Sequence, residues 1–176
     1  MQRVSITAVM AAKRANEQSF TDLLVPLVQP GYRLACAMLH DPQAAEDVVQ
    51  EASLIAWRKV GRLGDPTKLR AWFLGIVANE CRNARRRRWW GVMLGLPVGL
   101  SVVSGEERMA NRADVRKALL RLTHADRLVV TLYFYLDMPL VEIAAVAGTS
   151  TEAARRRLYR AVHRLRPDLA IEEALR

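Results

Sequence analysis

Strand signals are scarce in this sequence: alternating apolar–polar runs and hairpin dipeptides are few, so a sheet-based architecture is not expected. Cysteine is also sparse. Cys36 and Cys81 sit in apolar helical stretches, no CxxC occurs, and His40, His124 and His163 are too scattered to complete a metal box with them. Both thiols read as buried and reduced, which fits a reducing, cytoplasmic setting. A glycine-rich phosphate loop and converging carboxylate, histidine or cysteine groups are missing too, so hydrolytic or metal-assisted chemistry is not expected. Neither a cofactor nor a small-molecule substrate is implied. The start, Met1 to Ala15, lacks the sustained apolar core of a secretory signal and reads as a mobile leader or a short helix. No apolar run reaches the roughly 20 residues of a membrane span. The nearest, 89–105, is shorter and is interrupted by Gly91, Gly95, Pro97 and Gly99, so a membrane role is not expected.

What the chain has in abundance is arginine and helical periodicity. Its 176 residues carry a formal charge of +9 and an isoelectric point near 10.4, with the basic excess almost all arginine. A guanidinium is a planar fork that matches phosphates and guanine edges, so the bias points to an anionic partner, nucleic acid above all. Helical spacing predicts segments over about 18–29, 31–40, 42–60, 68–88, 112–122, 124–136, 140–147 and 151–166. Pro26 and Pro30 are expected to split the first apolar stretch. Asp41-Pro42 is an N-cap followed by a first-turn proline. Gly61 and Gly64-Asp65-Pro66 end that helix, and Thr67 is expected to cap the next. The expected organisation is all-α: a leader (1–15), a helical domain (16–88), an apolar flexible linker (89–111) and a second helical domain (112–176). Each domain would bury its own small core.

In the second domain, Leu140 to Ala147 reads as a short helix, Gly148 as a turn and Thr151 to Arg166 as a second helix capped by Ser150. That is a helix-turn-helix pattern, whose second helix enters the major groove. Ala154, Leu158, Ala161, Val162 and Leu165 recur at helical spacing as the buried stripe. Thr151, Glu152, Arg155, Arg156 and Tyr159 share the opposite face, where arginine can pair with guanine and glutamate can accept from cytosine. Arg157, Arg160 and Arg164 are expected to hold phosphates. A charged run is ordinarily a solvated face. Here six arginines between 155 and 166 repel one another, and an anionic partner relieves the crowding.

In the first domain, Ala45, Val48, Val49, Ala52, Ile55, Ala56 and Val60 mark the core face of the helix over 42–60. Glu46, Asp47, Gln50 and Glu51 lie opposite, around Leu54. An acidic patch with an apolar centre, in so basic a chain, suggests docking onto a basic protein surface. On the helix over 68–88, Leu69, Phe73, Ile76, Val77 and Ala84 point inward. Lys68, Ala71, Gly75, Asn79, Arg82 and Arg86 share the other side, with Trp72 at the border. Basic residues separated by small ones let a nucleic-acid backbone approach; Asn pairs with base edges and Trp stacks on an unpaired base, although core is the more ordinary place for Trp72. Arg85 to Arg88 reads as a phosphate anchor.

These features together resemble the extracytoplasmic-function (ECF) group of sigma factors. The residues carrying the resemblance are Phe20 and Leu23, Ala45-Glu46-Asp47-Val48-Val49-Gln50-Glu51, Trp57, Leu69-Arg70-Ala71-Trp72-Phe73, Ile76-Val77-Ala78-Asn79 and the arginines 85–88. In the second half they are Ala118-Leu119, Leu122, Arg127, Glu142-Ile143-Ala144, Gly148 and Arg157-Leu158, with Arg160-Ala161. The resemblance implies that Glu46, Asp47, Gln50, Glu51 and Leu54 bind core RNA polymerase. It implies that Lys68, Trp72, Asn79, Arg82 and Arg86, with the 61–67 loop, melt and capture the minus-ten element. It further implies that Thr151, Glu152, Arg155, Arg156, Tyr159 and Arg160 read the minus-thirty-five element, while the linker threads through the polymerase. An anti-sigma factor is a further candidate partner. The chain departs from the family at Glu152-Ala153-Ala154-Arg155-Arg156, where Gly-Thr-Val-Lys-Ser is usual, so Arg156 is expected to set a promoter preference of its own. The alternative is a stand-alone helix-turn-helix regulator whose first half dimerises or senses a signal.

Overall fold

The computed structural model describes residues 6–93 and 117–169, with side chains described for 20–61, 63–89 and 117–165. Most of the expected linker, the outermost leader residues and the last seven residues lie outside this set. Among the described residues every regular element is helical. No helix is long and apolar enough to cross a membrane.

The first domain is three helices: α1 (Ile6–Leu39), α2 (Pro42–Lys59) and α3 (Leu69–Met93). Contrary to expectation, α1 is one 34-residue helix that runs through both prolines. A proline inside a helix costs about 3 kcal/mol, because it removes a donor and crowds the preceding turn. The two prolines are four residues apart, so both lost amide donors fall on one face of the helix. Beyond them Leu34, Ala35 and Met38 are buried against α2 and α3. Each large apolar side chain buried contributes about 1.5–3 kcal/mol, and together these outweigh the local loss. Gly31 makes the approach possible: a Cβ there would lie 3.0 Å from Phe73 Cε1, and Phe73 is fully buried.

Asp41 caps α2 as expected, accepting from the Ala44 amide at 3.1 Å with Pro42 in the first turn. Ala45, Val48, Val49, Ala52 and Ala56 form its buried face, and the ring of Trp57 meets Phe20 edge-on at 5.0 Å. Before α3 the cap is Asp65, not Thr67. Its carboxylate accepts from both the Thr67 amide, at 3.0 Å, and the Thr67 hydroxyl, at 2.6 Å. A carboxylate can take two donors at once, so it wins the position from a hydroxyl. The Thr67 hydroxyl and amide hold the Asp65 carboxyl below its ordinary pKa. Helix α3 also runs past the expected end at 88, to Met93.

The second domain begins, among the described residues, with helical residues 117–121. It continues through α4 (His124–Val130), a wide π-type turn at Thr131–Tyr135, α5 (Leu140–Ala147) and α6 (Thr151–Leu169). Gly148 adopts φ 62°, the left-handed conformation that closes a helix, and the Ser150 hydroxyl accepts from the Ala153 amide at 3.1 Å.

The two domains do not bury separate cores. One apolar cluster runs from Leu34, Val48 and Phe73 through Leu74 and Val77 into Leu132, Met138, Ile143 and Val146. Among the described residues, a small second cluster of Ala118, Leu122, Val130, Ala161 and Leu165 belongs to the second domain alone. Neither half was large enough to hide all its apolar surface, so each covers the other.

Candidate nucleic-acid and polymerase interfaces

Helix α2 presents its acidic face to solvent. Glu46, Asp47, Gln50 and Glu51 are exposed, and Leu54, in their midst, keeps half its surface in water. The fourth acid of this stretch has another task. Asp41 is buried, capping the helix and lying 3.9 Å from Arg88 of α3. Arg88, one of the 85–88 run expected to anchor phosphate, thus has a carboxylate partner within the chain.

Helix α6 separates its faces as its spacing predicts. Ala154, Ala161 and Leu165 are buried and Leu158 is partly so, while Glu152, Arg155, Arg156, Tyr159 and Arg160 are exposed and Thr151 is half-buried. Glu152 lies 3.8 Å from Arg156, a solvent-exposed pair one turn apart that is worth little energetically but orients both side chains. Two arginines assigned to phosphates are engaged elsewhere. Arg157 and Arg164 flank Asp126 at 3.8 and 3.3 Å. Asp126 is a buried carboxylate that sequence reasoning passed over. Its signal was Thr123-His124-Ala125-Asp126, a helix-start pattern, and the Thr123 hydroxyl does accept from the Asp126 amide at 3.2 Å.

The basic face of α3 is where structure and expectation part. Lys68 is exposed and paired with Asp65 at 3.4 Å. Asn79 accepts from Arg82 at 3.2 Å, and Arg86 donates to Asn83 at 3.1 Å. The small residues between them do not face solvent. Ala71 is buried, and a Cβ on Gly75 would touch the Val146 backbone at 3.9 Å. Helix α5 lies along this face, and between them runs a groove of about 940 Å³. Lys68, Trp72, Asn79 and Arg82 line one wall, and Val141, Ala145 and Gly148 the other. Trp72 is half-buried and packs against the shared core.

Polar bonds fasten the seam. Arg70 of α3 donates to the Leu136 carbonyl. Arg127, which is buried, donates to Leu119, Leu120 and Leu122 in its own domain at 2.9, 3.2 and 3.3 Å, and to Met38 of α1 at 3.3 Å. Burial, followed by the nearby Arg85, lowers its pKa. The Arg33 guanidinium sits 5.9 Å from the Tyr135 ring centre. Cys36 and Cys81 are free; burial pushes the Cys81 thiol up to about 12.

A helix with an exposed acidic face, a basic helix rich in small residues and a helix-turn-helix stand on one chain, a combination found in DNA-binding proteins. Comparison with known proteins makes this specific. Residues 23–91 match Sigma-70 region 2 and residues 118–167 match Sigma-70 region 4. The chain is 32% identical over 149 residues to the ECF RNA polymerase sigma factor SigL of Mycobacterium tuberculosis, covering 77% of this chain and 80% of that one. It is 26% identical over 164 residues to the RNA polymerase sigma factor SigV of Bacillus subtilis, covering 93% and 99%. Two solved structures share the fold. The sigma factor RpoE from Bartonella quintana, in complex with the anti-sigma factor NepR, has a TM-score of 0.75 at 24% identity, covering 89% of this chain and 99% of that one. CnrH, in complex with the cytosolic domain of CnrY, has a TM-score of 0.67 at 26% identity, covering 94% and 97%. The chain belongs to the ECF sigma factors, the DNA-binding initiation subunits of RNA polymerase.

Proposed function

We propose that this sigma factor divides its work as follows. Residues 16–88 dock on core polymerase through Glu46, Asp47, Gln50, Glu51 and Leu54. The same domain opens the minus-ten element with Lys68, Trp72, Asn79, Arg82 and Arg86. Residues 112–176 read the minus-thirty-five element with Thr151, Glu152, Arg155, Arg156, Tyr159 and Arg160, and the linker after Met93 joins the two across the enzyme. The observation that carries this reading is the exposed acidic face of α2, with Leu54 at its centre, in a chain of charge +9. Nucleic acid would be repelled by that face, whereas a basic protein surface complements it. The exposure of Arg155, Arg156 and Tyr159 supports a reading role for α6. The chain acts in the cytoplasm, where polymerase and promoters are, and performs no catalysis itself. An anti-sigma partner is supported by two similar proteins, RpoE of Bartonella quintana, seen in complex with the anti-sigma factor NepR, and CnrH, seen in complex with the cytosolic domain of CnrY.

In the conformation described, α5 packs beside Gly75 while Lys68, Asn79, Arg82 and Arg86 stay exposed, so a strand can reach the polar residues but approaches the small residues between them only when the domains part. The test is to add the purified chain to sigma-free core polymerase and look for promoter-specific run-off transcripts. Transcripts are expected, and Asp47→Lys with Glu51→Lys should abolish them while leaving the helical circular-dichroism signal intact. Tight binding to duplex DNA without transcripts would instead identify a stand-alone regulator.

A further inference from the structure

A second cavity, of about 210 Å³, lies in the seam farther along α3. Arg82 and Arg85 line it from the first domain, and His124 and Arg157 from the second, with Leu128 and Ala147 closing its apolar side. Three guanidiniums converge here, and the nearby carboxylate, Asp126, is shared between Arg157 and Arg164. Arg82 is held by the neutral Asn79 side chain, which leaves its charge uncompensated. Arg85 makes no ion pair among the described residues. The Nε2 atom of His124 is buried without a hydrogen-bond partner, an expensive state for a polar atom unless something fills the space beside it. Burial, and then the charges of Arg85, Arg82 and Arg127, lower the His124 pKa to about 4, so the imidazole is neutral and the positive potential is not its own.

Like charges from two domains oppose the closure that the apolar core favours. A multivalent anion would reverse the sign of that interaction. Guanidinium forks match phosphate oxygens, and the imidazole supplies a further hydrogen bond. The space is below the roughly 300–1,000 Å³ of drug-sized ligand sites, so it suits an ion rather than a nucleotide. We propose that this seam cavity binds a small phosphate-class anion, held by Arg82 and Arg85 of one domain and by Arg157 and His124 of the other, and that the bound anion ties the domains together. The site requires neither polymerase nor promoter and stands even if the α3 face takes no DNA.

The full-length chain should be titrated calorimetrically with inorganic phosphate and with pyrophosphate, at constant ionic strength made up with chloride. Saturable binding is expected for at least one of them, weakened about tenfold or more by Arg85→Ala and less than twofold by Arg58→Ala on the exposed side of α2. Equal weakening by both substitutions would mean diffuse attraction to arginine and would overturn the proposal, as would dissociation constants above about 10 mM for both anions. In the unsubstituted chain the His124 Nε2 nitrogen-15 resonance should move on titration; a stationary resonance alongside saturable binding would place the anion elsewhere. Spin labels at Gln43→Cys and His163→Cys, both exposed, report closure. Pyrophosphate should narrow their distance distribution to one short population, and an unchanged distribution would overturn the bridging.

Discussion

The two faces expected to meet DNA are built from similar parts and treated in opposite ways. On α6, Arg155, Arg156 and Arg160 stand in solvent, and Tyr159 keeps 73% of its surface exposed. On α3, Ala71 is buried and Gly75 lies against α5, and Lys68, Trp72, Asn79 and Arg82 line the wall of a groove. The stripe of small residues that would let a DNA backbone approach also lets a helix backbone approach. A face built for close contact is, in the absence of its partner, a face the chain can use on itself. The comparison therefore separates a surface available at once from one released only when the domains part.

The largest expected effect falls on the open face. Replacing Arg155 and Arg156 together with alanine should cost two base-edge contacts of about 1–3 kcal/mol each, and so lower promoter affinity of the holoenzyme about thirtyfold or more, read by gel shift. Single-strand binding by the free chain should change less than about twofold with Asn79→Ala, because Gly75, one turn away, lies against α5 and keeps a strand from settling on this face. A larger loss there would break the comparison.

The covered face can be tested from the opposite wall. Ala145 is exposed at the groove edge, facing the side that holds Lys68 and Arg82. Ala145→Arg should push the domains apart and raise the free chain's affinity for a single-stranded oligonucleotide about fivefold; Ala145→Glu should lower it, since at an effective dielectric near 20 a charge pair at contact distance is worth a few kcal/mol before solvent losses. Effects of the same sign would show that the groove does not control access.

Smaller effects concern what holds each face in shape. Asp126→Asn removes the shared partner of Arg157 and Arg164 and should lower second-domain stability by about 1–2 kcal/mol in urea unfolding; partly exposed arginines keep the cost below that of a fully buried pair. Asp41→Ala should cost about 1 kcal/mol through the lost cap of α2. The smallest effect near neutral pH belongs to His124. Its folded pKa, about 4, lies below the ordinary 6.5, so its contribution is intact above pH 6.5 and is lost as pH falls toward 4, because the unfolded chain takes the proton first. About 0.4 kcal/mol is lost by pH 6.5, and His124→Gln should remove that slope from a melting series.

Local chemistry was legible in the residues. Asp41-Pro42, Gly148 and Ser150 act within four residues of themselves, and the stripes of α2 and α6 need only helical spacing to be seen. The exposed acids of α2 were legible for the same reason. What lies beyond four residues was not. Pro26 and Pro30 are tolerated because Leu34 and Met38 are anchored by other helices, and no local rule contains that. Ala71 and Gly75 look the same in sequence whether DNA or α5 approaches them. Arg157 and Arg164 were read as phosphate holders because Asp126, nearly forty residues away from Arg164, meets them only in the fold. The resemblance to a known family implied roles for particular faces but carried no information on which were open.

Arg127 bears on how quickly the chain can change state. Its guanidinium donates to four carbonyls, three within its own domain and one on Met38. Separation of the domains exchanges only the Met38 bond for water, and the remaining three keep the arginine seated and the start of the second domain folded. Opening thus has the character of a hinge movement rather than of local melting, and its expected timescale is microseconds to milliseconds. That is fast compared with protein synthesis or degradation, so a pool of closed molecules can answer a partner without delay.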